Sequence, residues 1–175
     1  MTTPGAALVK DLSSVDGDIL VLGVGGKMGP TLARMAKRAA PGKRVIGVAR
    51  FSEPGTKQWL QTRGIETINC DLLDEAAIAA LPKIPNIIFM AGRKFGAEGD
   101  LALTWAMNSH VPALVAQAFP QSRIVAFSTG CVYPFVPVGG GGSREDMQPN
   151  PPGEYAQSCV GRERMFEYFS AQHGT

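Results

Sequence analysis

Four glycines in seven residues, GVGGKMG (Gly23, Gly25, Gly26 and Gly29), separate two segments of opposite character, and that placement constrains the fold most. Ahead of them, Asp18–Gly23 (DILVLG) is a short apolar run of the kind that forms a buried strand in a parallel sheet. Behind them, MGPTLARMAKRAA carries apolar residues at helical spacing, with Pro30 in its first turn and a Pro41-Gly42 stop. A strand, a glycine turn and a helix in that order form a phosphate-binding turn. Gly23 permits the tight turn, Gly25 and Gly26 let the backbone approach a pyrophosphate, and Gly29 lets the helix close on the strand. Amides at the helix start then favour the anion, so Lys27 and Met28 are counted with the glycines as cofactor-binding positions. The turn predicts dinucleotide binding.

The rest of the chain repeats the strand–helix alternation. Further strands are expected at Arg44–Ala49, Ile65–Cys70, Asn86–Gly92 and Arg123–Thr129. Helices are expected in TKQWLQTRG and DEAAIAALP, over Asp100 to Phe119, and from about Pro152 to His173. Such alternation implies βαβ units, and right-handed crossovers give an α/β, doubly wound parallel sheet of about five strands. Ligands of such sheets bind outside the carboxyl ends of the strands. Residues 1–175 are read as one domain, with 1–16 a flexible N-terminal segment and 134–150 a Gly/Pro-rich loop containing VGGGGS. A loop that long is either a lid or a disordered segment, and the sequence leaves both open.

Composition narrows the function classes. The 17 basic residues are scattered and the net charge is only +2, which argues against a nucleic-acid surface. The first residues show no signal peptide, and no apolar run approaches the ~18 residues of a membrane span. Cys70, Cys131 and Cys159 are odd in number and widely spaced, forming neither a metal box nor a disulfide framework, which suits a reducing cytoplasm. His110 and His173 each lack a second ligand at helical spacing, so no metal site is expected.

The end of the second strand refines the cofactor. An NAD site places a carboxylate there for the ribose hydroxyls, whereas this chain has Ala49 followed by Arg50. With no carboxylate to repel it and a guanidinium beside it, a 2′-phosphate is favoured, so NADP is expected, with NAD the alternative. Arg50 could equally be a solvated surface residue. Asp71-Leu72 follows the third strand, where the carboxylate can accept from the adenine amino group or cap the next helix.

In these motifs the chain resembles the extended short-chain dehydrogenase/reductase family, the NAD(P)-dependent epimerases and dehydratases, over essentially its whole length. GVGGKMG is similar to the family's GxxGxxG at Gly23, Gly26 and Gly29, CDLLD to its adenine-site Asp-Leu, and FMAG, with Ala91 and Gly92, to its fourth-strand turn beside the cofactor. Asn108 in MNSHVPALVAQA corresponds to the asparagine of the long helix. FSTGCVYP resembles the serine/threonine strand, with Thr129 at the catalytic hydroxyl, and EDMQPNPPGEYAQS the approach to the catalytic Tyr155. The resemblance implies a Rossmann-like fold and hydride transfer between NADP and a hydroxyl or carbonyl carbon of a sugar-nucleotide-like substrate. Tyr155 would be the acid/base and Thr129 would orient the substrate oxygen. It also implies a homodimer through the helices at 100–119 and 152–173.

Two departures stand out. The family's lysine, four residues after the tyrosine, lowers the phenol pKa and holds the nicotinamide ribose; here that position is Cys159. An unassisted phenol near pKa 10 is ionised roughly once in a thousand molecules at pH 7, a handicap of about 3–4 kcal/mol if the phenolate is the base. Lys94 or Arg93, leaving the fourth strand, could take over the charge or be two solvated loop cations; Arg162 shares the face of Tyr155 two turns on. Cys159 could simply be a small buried hydrophobe. The second departure is the end at SAQHGT, where a sixth strand and a C-terminal substrate lobe are expected, so the chain reads as a fragment, or as a truncated variant completed by a partner. Activity is therefore left open. The chain is an NADP-dependent enzyme, a non-catalytic nucleotide sensor or scaffold, or an incomplete remnant without activity of its own.

Overall fold

The computed structural model describes residues 2–94 and 99–174; Met1 and the Phe95-Gly96 end of the GRKFG segment lie outside them. Five short strands, β1 (Ile19–Leu22), β2 (Val45–Ala49), β3 (Glu66–Asn69), β4 (Asn86–Phe89) and β5 (Arg123–Ala126), pair in the order β3-β2-β1-β4-β5, all parallel. The helices are α1 (Ala6–Ser14), α2 (Gly29–Ala39), α3 (Thr56–Gln61), α4 (Glu75–Ala79), α5 (Leu101–Trp105), α6 (Val111–Ala118) and α7 (Glu154–His173). Strand order steps outward from β1 in one direction and then from β4 in the other, which opens a crevice between them at the carboxyl edge.

The expected α/β, Rossmann-like sheet is therefore present, and its strands are apolar because helices cover both faces. Leu20, Leu22, Ile46, Ile87 and Phe89 pack on one side with Ile78 of α4, Val111 and Val115 of α6, and Phe166 of α7. Ile19, Val21 and Val45 pack on the other with Ala33 and Ala36 of α2 and Leu60 of α3. Each large side chain so buried stabilises the fold by about 1.5–3 kcal/mol. The regular ladders end earlier than the apolar runs do. Single further bonds, Met90 N–H to the Leu22 carbonyl at 2.8 Å and Phe127 N–H to the Phe89 carbonyl at 2.9 Å, carry the chain off the sheet toward the crevice.

Three features differ from the sequence expectation or add to it. Residues 6–14 of the N-terminal segment form α1, which buries none of its residues; Leu12 touches the core beside α2, and Lys43 Nζ holds the Val15 and Gly17 carbonyls after it. The long helix is not one α-helix: a π turn, Ala106–His110, separates α5 from α6, with the Val111 N–H reaching back to the Ala106 carbonyl. Pro112 has no N–H to give to Asn108 four residues back, and the widened turn accommodates that loss. Finally, β5 is, like β3, an edge of the sheet. Val125 points away from the face that Ile124 packs on and is 62% exposed, as is 37% of Phe127. No helix among the described residues is long and apolar enough to cross a membrane.

Candidate cofactor cleft and active site

After β1 the chain turns at Gly23, whose φ of +85° is left-handed and whose added Cβ would fall 2.5 Å from the Ala91 nitrogen. Gly29 opens α2 in direct contact with the turn it follows: a Cβ there would lie 2.2 Å from the Val24 carbonyl oxygen. These two glycines let the helix start against the end of β1. Around that crevice Gly23, Gly25, Gly26, Arg50, Asp71, Leu72, Ala91 and Gly92 line one cavity of about 220 Å³. Lys27 and Met28 are exposed at its rim, while Gly29 and Asn108 are buried behind it.

Sequence reasoning missed several of the lining residues. Phe51, Ser52, Glu53 and Thr56 border the same cavity from the loop after β2, and Met107 from the π turn. Phe51 holds a φ of +50°, the one positive φ among the described non-glycine residues, so this loop is held by its packing rather than by backbone preference. Only the polar run that follows Arg50 could have signalled it. Arg50 Nη1 lies 3.8 Å from the Asp71 carboxylate, both well exposed. Asp74, not Asp71, caps α4 by accepting from the Ala77 N–H; the Asp71 carboxylate accepts from the Leu73 N–H. The helix-cap alternative for Asp71 is thereby removed.

The cleft suits a dinucleotide on its own geometry. Three glycines of a turn at a helix start line the cavity, together with a guanidinium and a carboxylate. Cys70 also lines it, its thiol pushed up by burial and then by Asp71 and Asp74. No cluster of His, Cys, Asp and Glu able to hold a metal occurs among the described residues.

A second cavity, about 720 Å³, opens beside Tyr155 and is lined by Leu101, Cys131, Tyr133, Phe135, Pro152 and Glu154, among others. Thr129 caps the short 3₁₀ turn at Gly130–Val132, its hydroxyl accepting from the Cys131 N–H at 3.2 Å. Burial, followed by Cys159, pushes the Tyr155 phenol above its ordinary value, and hydrogen bonding with Thr129 works in the other direction. Thr129, Tyr155 and Cys159 are thus brought together. Cys159 is fully buried, and its thiol too is pushed up by burial, with Arg162 pulling the other way. Lys94 sits over the Tyr155 ring, Nζ 6.0 Å from its centre, and the phenol stays raised with the lysine in place.

Behind both cavities, buried Asn108 ties the elements together. Its Oδ1 accepts from the Arg93 N–H at 2.8 Å and from Arg162 Nη2 at 2.9 Å. Its Nδ2 donates to the Arg93 carbonyl at 3.0 Å and to Ser158 Oγ at 2.9 Å. Asn108 therefore reaches the cleft through the peptide it holds. Gly161 brings α7 against the π turn, since a Cβ there would meet Ser109 Oγ at 2.4 Å. The Trp105 indole N–H donates to Glu154 at 2.5 Å, pinning the start of α7 to α5.

A sequence model of the NAD dependent epimerase/dehydratase family matches residues 19–175. Solved structures similar to this chain include a UDP-glucuronic acid 4-epimerase from Bacillus cereus with UDP-glucuronic acid and NAD, at TM-score 0.74 and 20% identity, covering 90% of this chain and 53% of that one. MoeE5 with UDP-glucose and NAD gives 0.72 and 24%, covering 89% and 50%. A UDP-glucose 4-epimerase from Thermotoga maritima with UDP-glucose gives 0.75 and 20%, covering 90% and 52%. The chain thus spans about half the length of the solved structures it matches. No curated protein sequence matches it.

Proposed function

Since this chain belongs to the NAD dependent epimerase/dehydratase family, we propose that it binds a nicotinamide dinucleotide in the glycine-lined cleft and presents the ring to the Tyr155 cavity for hydride exchange. The observation that carries this reading is the adjacency of the two sites. The cleft ends on Ala91 and Gly92, while Lys94, two residues on, lies over the ring of Tyr155. When bound, the dinucleotide supplies or accepts the hydride. Amides of the turn other than those of Gly23, Val24, Gly26 and Gly29, which donate to backbone carbonyls, hold its pyrophosphate, and Asp71 accepts from the adenine amino group. Arg50, helped by the Ser52 and Thr56 hydroxyls, takes a 2′-phosphate, so NADP is the preferred form and NAD the alternative.

On the substrate side, Thr129 orients the reacting oxygen and Tyr155 moves its proton. Burial keeps the Tyr155 phenol protonated at neutral pH, so a carbonyl substrate would meet it as a hydrogen-bond and proton donor. The structural neighbours contain UDP-sugars, and a sugar nucleotide is the first substrate class to try. The unpaired cysteines suit a reducing, cytoplasmic setting.

A second reading is favoured by Cys159. With a neutral thiol where the family has its lysine, the chain would serve as a nucleotide-binding sensor or scaffold without turnover, or as part of an activity completed elsewhere. Titration with NADPH and NADH, read by nucleotide fluorescence, separates these readings. Micromolar binding with NADPH preferred supports the cleft and Arg50. Binding without hydride exchange on any sugar nucleotide favours the sensor, and no binding of either nucleotide sinks the cofactor reading altogether.

A further inference from the structure

Of the two arginines in α7, Arg164 is exposed and paired with Glu167, whereas Arg162 is 7% exposed and has no carboxylate within ion-pair distance among the described residues. Its guanidinium is held by dipoles alone. Nη1 donates to the Phe127 carbonyl and Nη2 to Asn108 Oδ1, each at 2.9 Å, and its centre lies 6.0 Å from the Phe89 ring centre. Nε is buried without a partner. Carbonyl and ring dipoles offset part of the desolvation of a buried cation but leave its net charge in place.

What covers this charge is Gly92. A Cβ added to Gly92 would fall 2.4 Å from Arg162 Nη2, and Gly92 itself lines the dinucleotide cleft. The guanidinium therefore stands directly behind a stretch of cleft wall that has no side chain. Arg50 and Asp71 mark the adenosine end of that cavity. Gly92 follows β4, and α7 carries Tyr155 two turns before Arg162, so the buried charge lies toward the end where hydride chemistry would occur.

We propose that Arg162 acts across Gly92 as a fixed positive charge at the nicotinamide end of the cleft and makes it discriminate between the two redox states of the cofactor. The inference rests on the dinucleotide reading above. The oxidised nicotinamide ring carries a positive charge, and adding a hydride, one proton with two electrons, leaves it neutral. A buried cation repels the first form and is indifferent to the ring of the second. The pyrophosphate is the same in both forms, so its attraction to Arg162 cancels in the ratio of affinities. The positive charge that the family's lysine would bring to the nicotinamide ribose is thus replaced by one lying a turn further along the same helix behind Gly92, while Lys94 faces the tyrosine.

The test is the ratio of dissociation constants for oxidised and reduced cofactor, measured by calorimetry on the full 175-residue chain, on Arg162→Gln and on Arg162→Lys. The wild type should prefer the reduced form by about tenfold or more, the order expected of a partly screened charge several ångströms away. Arg162→Gln keeps hydrogen-bond donors without the charge and should reduce that preference to nearly none, whereas Arg162→Lys should retain most of it. A role confined to packing would weaken both forms alike and leave the ratio unmoved. A wild type that binds the two forms equally, or a ratio unchanged in a folded Arg162→Gln chain, overturns the proposal while sparing the cofactor reading. If Arg162→Gln does not fold, Asn108→Asp, which sets a carboxylate against the same guanidinium, takes its place, and an unchanged ratio there overturns the proposal. A wild type that binds neither form takes down the cofactor reading, and the inference with it.

Discussion

Lys94 Nζ lies 6.0 Å from the centre of the Tyr155 ring, yet it comes from the loop after β4 and not from the helix that carries the tyrosine. A cation on that side favours the phenolate, and burial together with Cys159 opposes it. Removing the cation should therefore push the phenol further up. In Lys94→Ala, the Tyr155 titration, isolated as an absorbance difference against Tyr155→Phe, should move to higher pH, and any hydride exchange should fall by about tenfold. An unchanged titration would make Lys94 a bystander at the ring.

Cys159→Lys tests the family's own solution. The phenol pKa is raised in this chain, so the base form appears only above the ordinary tyrosine range and an oxidation rate should climb with pH throughout the neutral region. An ammonium one helical turn from Tyr155 should lower that pKa by about 1–3 units and shift the rising limb of the pH–rate profile down with it. Because Cys159 is fully buried, the longer side chain must reach toward the cleft, and some loss of melting temperature is expected. A rising limb that stays in place would mean Tyr155 is not the group that moves the proton.

The fold was legible wherever local pattern and burial agree. Ile19–Leu22 is apolar at every position because both its faces are covered, and the glycine turn follows it with backbone contacts that only Gly23 and Gly29 allow. The π turn was less legible, although Pro112 was in plain view, because a proline inside a helical pattern usually signals an end and not a widening. Nothing local marks α1, whose side chains bury so little. The burial of Arg162 was out of reach for another reason. Helical spacing places it on the face of Tyr155, but only the approach of Gly92 and Asn108 from elsewhere in the chain removes it from water.

Arg50 and Asp71 face each other at 3.8 Å on the wall of the glycine-lined cleft, and a 2′-phosphate bound there would compete with Asp71 for the guanidinium. Arg50→Ala should weaken NADPH binding by about tenfold and change NADH binding little, as a fluorescence titration would show. Asp71→Asn should do the reverse for NADPH, since it frees Arg50 from its carboxylate partner. Equal losses for both nucleotides in Arg50→Ala would remove the case for NADP.

Asn108 supports both the fold and the charge behind Gly92, and two substitutions separate these roles. Asn108→Ala leaves the Arg93 peptide and Arg162 Nη2 without their buried partner, which should cost about 2–4 kcal/mol and lower the melting temperature by roughly 5–10 °C. Asn108→Asp keeps an acceptor for the Arg93 N–H and for Arg162 but cannot donate to the Arg93 carbonyl or Ser158 Oγ. It also places a carboxylate against the unpaired guanidinium. Stability should then fall less than in the alanine variant, since the new ion pair offsets part of the lost bonds. The preference for reduced over oxidised cofactor should nevertheless disappear, because the charge acting across Gly92 has been neutralised. Asn108→Asp with its preference intact would show that the field at the cleft does not come from Arg162, whatever its melting temperature.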